Sequence, residues 1–373
     1  MLVTVVRHGE STDNLRAVWA GHLDAPLSQY GMEQAKRVGA SFKHLPITAI
    51  YASDLKRAHW TAQQIHSQNA GPSPSDRQTA SSPSRKRTRS TEIDHPHNDA
   101  ETAGPDSSAR LERASQSRQD STSANAPCDS DLGRRAIATT PLLREQFFGD
   151  AEGKGWQAGS YSNAPYESKR EFKFPNGETL HDVGKRADKV VRQIILPWLL
   201  REANERGSTR RNLTAPSSLE IPDDTVHLVL VAHGIMISEL LHAFHRAADP
   251  RAPWVKRGGL QNTGWGRMHM VLDPVVLDDL PPGVIAEAYA ATEATEFPEL
   301  IPALSPSSGL LDLLRPQVKL LAMNQTDHLN GHRRQPGGLS RQAFDAKQQT
   351  LMSFMSGGGG GTASPSPKKK SAS

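Results

Sequence analysis

The stretch "VVRHGESTDN", residues 5–14, decides how this chain folds. A short β-branched run over residues 2–6 ends directly in arginine, histidine and glycine. Its length and branching predict a buried strand. The polar cluster behind it has two readings. It is either the turn that closes an edge strand, or the carboxyl end of a strand in an open α/β sheet, where such sheets hold their ligands. The residues that follow favour the second. After Pro26, Ser28 is placed to cap a helix with Ala35, Val38, Gly39 and Phe42 on one face. "ITAIYAS" at 47–53 reads as a second strand and residues 55–66 as a second helix, an alternation that predicts βαβ units and a parallel sheet.

Structure is expected to resume at 138, run through "LLREQFFGDAEGKGW" and reach a long amphipathic helix over 179–200. "VHLVLVAHG" supplies another strand, residues 235–244 a helix, and "GRMHMVLD" at 266–273 the last strand. Residues 67–136 are rich in Ser, Pro, Arg, Asp and Gln with almost no aliphatic side chains, which predicts a disordered insertion. Residues 274–373 read as a mostly disordered C-terminal extension with short helices, one of them over "GVIAEAYAATEATEF". The expected fold class is therefore α/β with three layers, a mostly parallel sheet flanked by helices. The domain is discontinuous, built from residues 1–66 and 137–273.

Composition agrees with one ordinary core plus solvated segments. Only 36% of the 373 residues are hydrophobic and 5% aromatic, beside 26 Pro and 29 Gly, too little apolar surface to offset the ordering entropy of the whole chain. With 44 basic and 40 acidic residues the formal net charge is +4, which gives no expectation of nucleic-acid binding. The lone cysteine, Cys128, allows no intramolecular disulfide or thiolate cluster and fits a reducing compartment. The first residues lack the basic lead and apolar core of a secretory signal, and no apolar run approaches a membrane span. A cytoplasmic protein is expected. Basic runs at 85–87 and 368–370 resemble nuclear-localisation patches, although runs this short are more often solvated tail. Protein partners, if any, would meet the insertion and the tail.

The chemistry lies at strand ends. Val6 leads to Arg7, His8 and Gly9, and Ala232 leads to His233 and Gly234. In a parallel sheet these ends share one edge, so two imidazoles distant in sequence converge. Glycine after each would let a ligand approach the backbone. "SDLKRA" adds Arg57 at the start of a helix, and a guanidinium fork suits phosphate. Imidazole can attack phosphorus while cations stabilise the equatorial oxygens. The departing alkoxide needs a proton, for which Glu145, Asp150 and Glu152 are candidates.

These words, with "GHLDAPLSQYGMEQA", "YASDLKRAHWTA", "LREQFFGDAEGK", "FPNGETL" and "VAHG" in that order, make the chain resemble the histidine phosphatase superfamily, with its phosphoglycerate mutase-like fold. The resemblance implies that His8 is the phosphorylated nucleophile and that Arg7, Arg57 and His233, with Gly234 beside it, hold the phosphoryl group. It implies that Glu145 is the proton donor, that Asn14 contacts phosphate, and that the backbone at Ala20 and Gly21 borders the substrate. Many relatives carry a hydroxyl or amide where Ala20 stands.

"LREQFFGDAEGK" followed by "FPNGETL" is similar to the branch of fructose-2,6-bisphosphatase-like enzymes. Glycolytic mutases usually carry a pair of arginines after the acidic word, whereas residues 156–173 hold Arg170 beside Lys169. The expectation is a metal-independent phosphatase, needing no cofactor, that acts on a small phosphorylated metabolite such as a sugar phosphate. The alternatives are mutase-type phosphotransfer and a catalytically weak scaffold domain. Glu178 is expected to cap or orient the long helix, and His22, His59, His181, His242 and His245 to be structural or surface residues.

Overall fold

A computed structural model describes residues 1–71, 136–156, 170–207, 221–222, 225–253, 259–272, 277, 280–281, 283–293, 314–334 and 338–345. The insertion expected at 67–136, apart from its ends, lies outside the described residues, as do Cys128, Lys169 and both basic runs.

Six strands form one sheet: β1 (Leu2–Arg7), β2 (Ala49–Ser53), β3 (Ala138–Thr140), β4 (His227–Ala232), β5 (Trp265–Val271) and β6 (Gln317–Gln325). Their order is β3-β2-β4-β1-β5-β6, with the first four mutually parallel and the last two pairings antiparallel. The helices are α1 (Thr12–Arg16), α2 (Gln29–Ser41), α3 (Lys56–Gln68), α4 (Leu180–Val190), α5 (Leu196–Gly207), α6 (Gly234–Ala248) and α7 (Val284–Glu293). Between α4 and α5, Val191–Ile195 continues the rod as a π-helical turn.

Period-two alternation in the central strands builds the three layers. Val3 and Val5 of β1, with Leu228 and Leu230 of β4, join the core under α4, α5 and α6. Val6, Val229 and Val231 join Val38, Ala58, Ala62 and Ile65 of α2 and α3 on the other face. Ser28 caps α2 as expected, its Oγ accepting the Gly31 N–H at 2.9 Å. Thr179 and Asp182 form a reciprocal capping box that starts α4.

The sequence reading closed the sheet at residue 273, yet β6 adds a sixth strand antiparallel to β5. An edge strand buries little, and only Ala322 in β6 is fully enclosed, so its apolar pattern is weak. Beyond β6 the chain returns to the amino-terminal region, where Gln29 donates its N–H to Gln342 O at 2.9 Å and Phe344 donates to Leu27 O at 2.9 Å. Arg334 forms an ion pair with Glu10 and lies 4.6 Å over the Tyr30 ring. Among the described residues, no helix is long and apolar enough to cross a membrane.

Candidate active site

Strand register brings the two histidines together. β1 and β4 run parallel with Arg7 opposite Ala232, so the next residues, His8 and His233, leave the sheet side by side. The His8 N–H continues the ladder to Ala232 O at 3.0 Å, and the imidazole centroids stand 4.9 Å apart. Both rings are buried. Burial, followed by the nearby Arg57 guanidinium, holds both well below the usual histidine range, so both are neutral near pH 7.

Their hydrogen bonds fix the tautomers. His8 Nδ1 lies 2.6 Å from Gly9 O. A carbonyl only accepts, so Nδ1 carries the proton and the Nε2 lone pair is left for chemistry. Arg57 Nε donates to His233 Nδ1 at 3.3 Å, so the proton of His233 is on Nε2. That Nε2 is buried without a partner among the described residues, and so is Arg7 Nε. Two buried donors lacking acceptors beside a neutral imidazole are suited to the oxygens of an anion.

Arg57, in the first turn of α3, is held through Nη1 to Leu23 O at 2.6 Å and Nη2 to Gly21 O at 2.8 Å, and with Nε on His233 these bonds use three of its five N–H groups. Arg7 is anchored through Nη1 to Leu260 O at 2.7 Å. Glu145 points both carboxylate oxygens at the N-terminus of α6, accepting from Ile235 N at 3.2 and 3.3 Å and from Met236 N at 3.2 Å. A Cβ built on Gly234 would lie 3.8 Å from both Arg7 Nε and Glu145 Oε2, so these groups converge on that glycine.

A cavity of about 390 Å³ is lined by Arg7, His8, Asn14, Ala20, Gly21, Arg57, Glu145 and Gly234; His233 is not among its lining residues, and its ring stands 4.9 Å from that of His8. Asn14 Oδ1 is already used in the capping box of α1, accepting Ser11 N–H at 3.0 Å, which leaves its amide N–H groups for a ligand. The other two candidate acids face elsewhere. Asp150 accepts from Asn176 at 3.1 Å, and Glu152 accepts the His22 N–H at 2.7 Å, burial holding its carboxyl above the usual range. The two strand-end glycines differ in their reason. At Gly9 a Cβ would meet Gly31 O at 2.4 Å, so close packing against α2 excludes a side chain there, whereas at Gly234 the open space faces the cavity.

Apart from Glu178, the supporting residues were not legible in the sequence. The loop over residues 260–264 holds Arg7 through Leu260 and receives the His8 carbonyl, to which Asn262 Nδ2 donates at 3.0 Å. Arg186 of α4 donates to the carbonyls of Leu142, Arg144 and Glu145 at 3.0, 2.9 and 2.9 Å, fixing the segment that presents Glu145. Glu178, expected to orient the long helix, accepts from Arg186 at 2.9 and 2.8 Å and from Phe147 N at 2.9 Å. Single residues in weakly patterned loops give no signal until the fold places them.

A strand-end pair of imidazoles ringed by guanidinium groups, on a doubly covered α/β sheet, defines a class of phosphoryl-handling site. The family model described as "Histidine phosphatase superfamily (branch 1)" matches residues 3–77 and 108–196, so over those residues the chain is similar to that superfamily of phosphatases and mutases. It is similar to fructose-2,6-bisphosphatase TIGAR B of Danio rerio, 25% identical over 242 residues that cover 63% of this chain and 71% of that protein. A 2,3-bisphosphoglycerate-dependent phosphoglycerate mutase of Chlamydia trachomatis is 44% identical over 61 residues, 16% of this chain and 27% of the mutase. Among solved structures, a mycobacterial glucosyl-3-phosphoglycerate phosphatase aligns at TM-score 0.43 and 19% identity, covering 72% of this chain and 92% of that one.

Proposed function

We propose that the chain is a metal-independent phosphatase that hydrolyses a small phosphorylated metabolite through a phosphohistidine at His8. The observation that carries this reading is the tautomer of His8. Its Nδ1–H is bonded to the Gly9 carbonyl at 2.6 Å, which makes Nε2 an unprotonated nucleophile, and the unpartnered N–H groups of Arg7 and His233 lie in the same cluster.

In the first step Nε2 attacks phosphorus, the P–O ester bond breaks, and the departing alcohol oxygen takes a proton from Glu145. Both carboxylate oxygens accept backbone N–H bonds, so that proton arrives with the substrate's phosphate monoanion. As the N–P bond forms, the Nδ1–H bond to Gly9 O stabilises the positive charge that spreads over the ring. In the second step Glu145 takes a proton from water, the oxygen attacks phosphorus, and the N–P bond breaks to restore His8. Arg7 and Arg57 bear the charge on the equatorial oxygens throughout.

Release of phosphate from 4-nitrophenyl phosphate with chelator present tests the proposal. Turnover is expected in the wild type and a loss of roughly 10³-fold or more in His8→Ala. Unchanged turnover in that variant eliminates the reading. The sequence match to mutases favours phosphotransfer as the second reading, and conversion of 3-phosphoglycerate to 2-phosphoglycerate after bisphosphate priming would support it. Against it stands Arg170, which spends two N–H groups on Glu239 at 2.7 Å each.

A further inference from the structure

The site has a second half that the phosphoryl chemistry does not use. Beyond the ring of Arg7, His8, Arg57 and Glu145, the cavity wall consists of Val18, Trp19, Phe148, Trp156, Leu180 and Ile235. The Trp19 ring packs at centroid distances of 4.9 Å on Phe148, 5.1 Å on Phe174 and 6.1 Å on Trp156. This wall is set before any ligand arrives, because the backbone pins it. Trp19 N donates to Lys154 O at 3.0 Å, Gly153 N to Trp19 O at 2.9 Å and Trp156 N to Ala17 O at 3.0 Å. Trp156 is 47% exposed, a large hydrophobic side chain that lines the cavity.

On this wall the polar side-chain groups among the described residues, apart from the phosphoryl-binding set, are those of Ser238 and Glu239 and the indole N–H groups of Trp19 and Trp156. Glu239 is buried and engaged by Arg170 in a two-pronged pair. A second phosphate near it would meet a carboxylate, while the nearest guanidinium is turned towards that carboxylate. Sugar hydroxyls would lose water against indole and phenyl rings and find few partners. A flat apolar ring loses nothing polar and gains the whole wall.

We propose that the substrate is a monophosphate whose alcohol half is planar and apolar, seated against the wall that Trp19 and Trp156 form, with no second phosphate. This rests on the phosphatase reading and replaces the sugar phosphate expected from sequence. Trp156 is then a specificity-determining residue.

The test holds leaving-group chemistry constant by using primary alkyl esters with the full-length chain: 2-(1-naphthyl)ethyl phosphate, glycerol 1-phosphate, glucose 6-phosphate and fructose 1,6-bisphosphate. The naphthyl ester is expected to show kcat/KM at least about tenfold above each of the others, chiefly through KM, as discrimination by an apolar pocket allows. Trp156→Ala should cut the ratio of naphthyl to glycerol ester at least about fivefold, and Trp156→Phe should restore most of it. A preference for the hexose phosphate or the bisphosphate, or a ratio that Trp156→Ala leaves unchanged, overturns the proposal. If no ester is hydrolysed, the phosphatase reading falls. Calorimetric dissociation constants then judge the pocket separately: tighter binding of the naphthyl ester supports it, and equal binding of all four overturns it.

Discussion

Acidification should expose a buried histidine that takes no part in the proposed chemistry. His227 sits in a chain of hydrogen bonds inside the sheet. Arg267 Nε donates to Thr4 Oγ1 at 3.0 Å, Thr4 Oγ1 donates to His227 Nε2 at 2.8 Å, and His227 Nδ1 donates to Pro46 O at 3.1 Å. The ring must be neutral for this pattern, since an imidazolium has no acceptor at Nε2 and would face the Arg267 cation. Burial, and then Arg267, push its pKa down to about 3. The unfolded chain binds the proton near pH 6.5 and the folded chain does not, so the stability is fully present above 6.5 and is lost progressively as pH falls towards 3. Between pH 7 and pH 4.5 this one group should remove about 2–3 kcal/mol. Neutral His8 and His233 act in the same direction, so the wild type alone cannot isolate His227. His227→Gln keeps a donor and an acceptor but does not titrate. Urea unfolding of both proteins at pH 7 and pH 4.5 gives the comparison, and the variant's loss over that interval should be smaller by about 2–3 kcal/mol. Equal losses in the two proteins would refute the reasoning.

Three further outcomes follow from the same geometry. Glu145→Gln should lower kcat/KM, which reports the step that phosphorylates His8, by roughly 10²–10³-fold for an alkyl phosphate but far less for 4-nitrophenyl phosphate, because that leaving group needs no proton, and paired kcat/KM measurements check the difference. Arg334→Ala removes the cation from Glu10, which also accepts Ser28 Oγ–H at 2.7 Å; the pair is partly exposed, so thermal denaturation should show a loss of about 1 kcal/mol or less, with a small drop in kcat/KM. Deleting residues 68–135 should leave hydrolysis of 4-nitrophenyl phosphate within about threefold, measured as kcat/KM, because none of the residues assigned to the chemistry lies there; loss of that activity in a folded variant would favour the scaffold reading.

The sequence carried the parallel half of the sheet because β1, β2 and β4 are short, continuous and apolar, and each runs into a polar word at its carboxyl end. The strand register then explains why Arg7, His8, Arg57 and His233 meet. β6 was illegible because an edge strand buries one side and follows a stretch with tail-like composition. The aromatic wall was illegible for a different reason. Trp19 and Trp156 belong to irregular segments with no periodicity, and only the backbone pairing of residues 17–19 with 153–156 makes them one surface. Asn262 and Arg186 act through carbonyl contacts that no spacing announces. Gly9 was read for the wrong partner, since the sequence suggested a ligand where the fold supplies Gly31.

The central claim is that His8 Nε2 accepts the phosphoryl group. Rapid acid-free quenching of the wild-type chain with a radiolabelled phosphomonoester, followed by peptide mapping, tests it directly. A label that is stable in alkali, lost in acid and carried on the peptide containing His8 is predicted, with none in His8→Ala. Label on another residue, or burst-free hydrolysis with no labelled peptide under single-turnover conditions, would contradict it.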